Sequence, residues 1–212
     1  MICPICEKRK AKRLCPAKGL QICSRCCGAE REQTIDCPFD CRYLQEARAH
    51  DYKGGIDPKD FPHKEIRIDE GFLREHAELL ETCGRELLAG SLAVAGSVDS
   101  DARQSLDALV RTYKTLDSGI YYDTRPDSVF ARQIVDHLRQ KVEEFQENET
   151  REAGFPKTRD SDLLRVWVFL YRMALDRDNG RRKGKAFLDF LRLHFQSAPQ
   201  SVAQPPLIIP GV

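Results

Sequence analysis

Eight of the chain's nine cysteines fall between Cys3 and Cys41, and the ninth, Cys83, stands alone. A segment with that density of thiols has little apolar material for a core, so cross-linking or metal binding must organise it. The first residues show no charged start followed by an apolar stretch, so no export signal is expected. A reducing, cytoplasmic setting is therefore expected, which disfavours disulfides and favours a metal.

The spacing points the same way. Cys3-Pro4-Ile5-Cys6 and Cys23-Ser24-Arg25-Cys26 are Cys-x2-Cys pairs with sixteen residues between them. Two thiolates three residues apart on a tight turn can take two corners of a tetrahedron, and a distant second pair closes it. Cys15, Cys27, Cys37 and Cys41 remain. If the chain is extended at Cys26-Cys27, the neighbouring side chains point to opposite faces and serve different ions. Two interleaved sites result: Cys3, Cys6, Cys23 and Cys26 in one, and Cys15, Cys27, Cys37 and Cys41 in the other. Spacing leaves an exchange of Cys26 with Cys27 open. Zinc is the expected metal, as two structural ions; the tight Cys-x2-Cys-x2-Cys run of iron–sulfur proteins is absent.

This cysteine order resembles the cross-brace zinc modules of the B-box, MYND and HIT-finger kind, over about residues 1–44. It departs from them in having no histidine ligand and in leaving Cys15 without a Cys-x2-Cys partner. The resemblance implies a compact two-zinc fold that mediates protein contacts.

Charge narrows the function. Lys plus Arg number 34 and Asp plus Glu 33, so coating nucleic acid or a membrane by bulk charge is not expected. Five basic residues, Lys8, Arg9, Lys10, Lys12 and Arg13, nevertheless lie between Cys6 and Cys15. They suit either nucleic-acid phosphates or the negative charge of zinc thiolates, and the second use is the stronger expectation.

Beyond Cys41 the pattern is helical. Residues 42–52 read as a short helix trailing the module (1–53), and the Gly- and Pro-containing stretch 54–68 as a linker. Five helices then follow over 69–197, with Asp69, the stretch Pro126, Asp127 and Ser128, and Asp160 or Ser161 as starts. The polar run Glu147 to Arg151 is expected to dissolve the third of them. Val166 to Tyr171 is apolar almost all round and belongs inside a bundle. Residues 198–212 form a Pro-rich tail whose apolar end, Pro206 to Pro210, is either a docking peptide or a strand across its own domain. The fold class is thus mostly α: a small cysteine-rich zinc-binding module followed by a bundle of about five helices.

No catalytic motif emerges. Gly180 to Ala186 has the wrong glycine spacing for a phosphate loop. Its cations Arg181, Arg182 and Lys183 precede a helix start, where positive charge is unfavourable; a solvated basic turn is the stronger expectation, and a phosphate or acidic-partner site that relieves them is the alternative. In Tyr121 to Pro126, one tyrosine is expected to pack inward while Asp123 and Arg125 brace the turn. Cys83 falls at helical spacing as an inert buried thiol, and His50 is a spare-ligand candidate. The function expected is a non-enzymatic interaction or regulatory protein that binds another protein and no membrane; the alternative is a nucleic-acid-binding regulator.

Overall fold

A computed structural model describes residues 1–51 and 56–195. The proposed tail at 198–212, and the Gly54-Gly55 part of the linker, lie outside the described residues. The described residues contain eight α-helices and one two-stranded ribbon, and the architecture is a cysteine-rich N-terminal segment followed by a helical bundle.

The N-terminal segment opens with an antiparallel ribbon, β1 (Arg13–Cys15) and β2 (Leu20–Ile22), in the register Arg13 to Ile22, Leu14 to Gln21 and Cys15 to Leu20. Gly19 at φ 63 supplies the left-handed residue of the connecting turn. Ile2 bridges Lys10 in antiparallel fashion and extends the ribbon on one side. Helices α1 (Ser24–Glu30) and α2 (Arg42–Asp51) follow. The buried interior here consists of cysteines with Ala11, Ile22, Ile35 and Leu44. So small an apolar set cannot hold fifty residues alone, and metal ligation would supply the missing folding energy.

The bundle has six helices where the sequence suggests five. Asp69 caps the first through Phe72 N–H donating to Oδ1 at 2.8 Å. That helix ends early as α3 (Glu70–Glu75), because His76 leaves helical geometry at φ −106, ψ 28 before α4 (Ala77–Ala93) resumes. Then come α5 (Asp99–Asp117), α6 (Val129–Ala153), α7 (Asp160–Asp176) and α8 (Ala186–Phe195). Helix α6 does not dissolve at Glu147. Arg151 pairs with Glu147 one turn back, and the Glu149 carboxylate accepts N–H bonds from Lys157 and Thr158, so the polar run is held as helix until Gly154 at φ 82.

Ser128, which caps α6, donates to Asp101 Oδ1 at 2.7 Å, so α5 and α6 start side by side and run parallel. Residues 118–128 return along α5 as an extended strap, pinned where Thr124 N–H donates to Thr112 Oγ1 at 3.0 Å. Asp123 pairs with Arg125 and with Arg139 of α6. Neither tyrosine packs inward: Tyr121 and Tyr122 are both exposed, because the strap lies on the surface. Aromatic rings buried in the bundle include the fully buried Trp167 of α7, with the partly buried Tyr113 beside it, and Phe72 and Phe187. Helix α7, with Leu163, Val166, Trp167, Val168 and Leu170 buried, lies inside the bundle as its composition demands.

Candidate metal centre

The sulfurs of Cys3, Cys6, Cys23 and Cys26 all lie within 4.8 Å of one another. Cys3 and Cys6 sit on the tight turn that closes back through Cys3 N–H to Arg9 O and Glu7 N–H to Cys3 O. Cys23 stands at the N-cap of α1, and its Sγ accepts Cys26 N–H at 3.4 Å, one turn into the helix. One sulfur therefore caps the helix that presents the next ligand. The Cys6 and Cys23 sulfurs are 3.9 Å apart. A tetrahedron with Zn–S bonds of about 2.3 Å has edges of about 3.8 Å, so the spacing fits zinc.

The electrostatics also favour a cation. Burial opposes ionisation of Cys3, but the N–H groups of Cys23, Cys6 and Ile5 together hold its thiol down to about 6. Burial and the sulfurs of Cys23, Cys6 and Cys3 push Cys26 up to about 12. Four thiolates so close cannot all ionise without a cation among them. The Arg9 guanidinium, hydrogen-bonded to Cys23 and beside Cys6 and Cys26, is held more firmly protonated. Arg9 thus answers ligand charge directly. Arg13 lies 4.7 Å over the ring of Tyr43, with Arg42 on the same ring at 4.9 Å. Lys8, Lys10 and Lys12 are exposed.

Cys15, Cys27, Cys37 and Cys41 line one small cavity of about 10 Å³ with Ile22, Ile35, Pro38 and Leu44. Cys26 and Cys27 are not on an extended segment. They lie on α1, where consecutive side chains diverge by about 100°. Cys26 is one of the four converging sulfurs, whereas Cys27 borders the cavity that Cys15, Cys37 and Cys41 also line, and the sulfurs of that second set are not in the group that lies within 4.8 Å. Cys37 has its thiol pushed up by burial, with Cys41 and Cys15 near enough to add to the effect. None of the nine cysteines is in a disulfide. Cys83 is buried in the bundle, far up from its ordinary pKa through desolvation, and His50 is exposed on α2.

The basic turn before α8 is not open to solvent anions at its base. It docks on the loop between Cys27 and Cys37. Arg181 Nη1 donates to the carbonyls of Arg31 and Gly28, at the C-terminal end of α1. Arg182 N–H donates to Gln33 Oε1, and Lys183 Nζ to Thr34 O. Lys185 pairs with Asp36 at 2.6 Å. The carboxylate beside the first turn of α8 is Glu32, whose Oε1 accepts Lys185 N–H. Glu32 is 1% exposed and also accepts from Arg48 and Asn179. Asp99 completes the seam from the bundle side, accepting Phe187 and Leu188 N–H at 2.9 and 3.0 Å. Asp99 caps α8 from another helix, and burial lifts its carboxyl to about 7 despite these bonds.

Glu32 and Asp99 carry no local sequence signal. Glu32 lies in an irregular loop at φ 51, and Asp99 caps a helix 88 residues away. Among the described residues no helix is long and apolar enough to cross a membrane. The chain matches no known protein-family model, no curated protein and no solved structure.

Proposed function

We propose that this chain is a zinc-structured interaction protein, in which an N-terminal two-zinc module is fixed to a helical bundle that serves as a platform for a protein partner. The observation that carries the reading is the convergence of the Cys3, Cys6, Cys23 and Cys26 sulfurs within 4.8 Å. Four thiolates fill a tetrahedron and leave no position for water, so the metal's role is structural and the chain is not a metal-dependent catalyst. The cavity shared by Cys15, Cys27, Cys37 and Cys41 supports a second ion of the same kind. Two such sites carry four negative charges in excess of the metals, which the basic residues beside them offset. Reduced thiols suit the cytoplasm.

Native mass spectrometry of protein purified without added metal tests the reading, with circular dichroism before and after chelation. Two zinc ions per chain are expected, with most helicity surviving chelation because the bundle has its own apolar core. One ion would remove the second site. No zinc, or a coloured iron centre, would overturn the reading.

A further inference from the structure

The charge of the N-terminal segment is divided along its length. Residues 1–27 hold seven Lys and Arg against Glu7 alone, whereas residues 28–53 hold six Asp and Glu against four Lys and Arg. The acidic half faces the bundle: Glu32 and Asp36 receive the turn before α8. The basic half contains the ribbon.

Ribbon geometry sorts the basic half into two faces. Along residues 10–15 side chains alternate. Ala11 and Cys15 are buried and Arg13 is half-buried against Tyr43, so that face looks inward. Lys10, Lys12 and Leu14 are exposed and share the outward face. Ile2, 64% exposed, lies opposite Lys10, and exposed Gln21 lies opposite Leu14. Leu14 itself is 60% exposed. The outward face therefore reads aliphatic, cationic, cationic, aliphatic. Among the described residues neither lysine has an ion-pair partner or a hydrogen bond through its side chain.

We infer that this outward ribbon face, Ile2, Lys10, Lys12 and Leu14, docks an acidic protein segment that carries aliphatic side chains among its carboxylates. The inference deepens the interaction reading above and rests on residues 1–51 being held by metal. Charge complementarity selects the carboxylates, and the two exposed aliphatic side chains that flank the lysines select an apolar component. A nucleic-acid strand would call for stacking aromatics on the face. Tyr43, which Arg13 of the ribbon contacts, is covered instead by Arg13 and Arg42.

The full chain would be titrated at low salt, by fluorescence anisotropy, against four probes. They are a peptide of repeated Glu-Glu-Leu, an all-Glu peptide of equal length, a single-stranded DNA oligonucleotide and phosphatidylserine-containing vesicles. The Glu-Glu-Leu peptide should bind most tightly. Lys10→Glu with Lys12→Glu should weaken both peptides by about tenfold or more. Leu14→Ser should weaken only the Glu-Glu-Leu peptide. Equal zinc content and dichroism in each variant show that the module is intact, since all three positions point outward. Tighter binding of DNA or of vesicles would overturn the inference, as would a neutral Leu14→Ser or failure of both peptides. A zinc-loaded protein that ignores the peptides would lose this inference alone. A protein without zinc that still binds them would keep the face and lose the metal reading.

Discussion

Oε1 of Glu32, a residue in the loop between Cys27 and Cys37, accepts the backbone N–H of Lys185 at the threshold of the last helix, 2.9 Å away. This bond joins the cysteine-rich segment to the bundle at a helix N-terminus, where a carboxylate is most favourable. The same carboxylate holds Arg48, which also reaches Asp189 of α8 at 2.5 Å. Glu32→Ala would leave Arg48 with one acid and remove the acceptor for Lys185 and Asn179. Breaking a buried charged network costs about 3–5 kcal/mol. The expected result is a large drop in the denaturation midpoint with zinc content unchanged, because no ligand is touched. Chemical denaturation followed by circular dichroism, beside a metal assay, reads both.

The two cysteine sets should respond separately to substitution. Cys26→Ser removes a sulfur from the four that converge, and Cys41→Ser removes one from the second cavity. Each should lower zinc by one ion per chain, and the first should also loosen α1, which Cys23 and Cys26 hold at its start. Cys83→Ser should leave zinc at the wild-type level, since Cys83 lies among bundle residues. Metal counting on the wild type and the three variants checks this; a wild type that holds one ion, lost entirely in either ligand variant, would mean a single shared centre.

Much of this arrangement was legible in the cysteines and in helical periodicity. The Cys-x2-Cys spacing identified the set whose sulfurs converge, and Asp69 and the stretch Pro126 to Ser128 marked helix starts because N-capping is a local interaction. The failures were of a different physical kind. The break at His76 has no glycine or proline to announce it. Glu147 to Arg151 stays helical through contacts with the following turn. Tyr121 and Tyr122 are exposed because residues 118–128 must span the whole length of α5 to start α6 beside it, a consequence of topology. The basic turn at Arg181 to Lys185 signalled a need for negative charge, but its partner, Glu32, lies some 150 residues earlier, and no local pattern connects them.

Asp99 should impose a pH dependence on stability. Its carboxyl rises to about 7 in the folded chain, through burial, from an ordinary value near 4. Below both values it is protonated folded and unfolded, and contributes no slope. Between them the unfolded chain releases the proton that the folded chain retains, so rising pH favours unfolding; above about 7 the penalty is constant. Asp99→Asn removes this titration while keeping one acceptor for Phe187 or Leu188. The stability of the variant relative to wild type should therefore climb from about pH 4 to about pH 7 and then level off. Urea unfolding of both proteins across that range measures the difference; a difference that is flat with pH would show that Asp99 is ionised in the folded state.

Gly90 of α4 is a position where a methyl group should cost more than it gives. In an open helix Gly→Ala stabilises by about 1 kcal/mol. Here an added Cβ would come 2.7 Å from Cδ2 of His137. That ring cannot easily withdraw, because its Nε2 lies 3.2 Å from Glu86 Oε2. Overpacking of this kind costs about 1–3 kcal/mol, so Gly90→Ala should lower the thermal midpoint. His137→Ala removes the obstruction, and in that background Gly90→Ala should become stabilising through helix propensity alone. A double-mutant cycle by thermal denaturation isolates the term, and additive effects would show that the α4–α6 contact yields without cost.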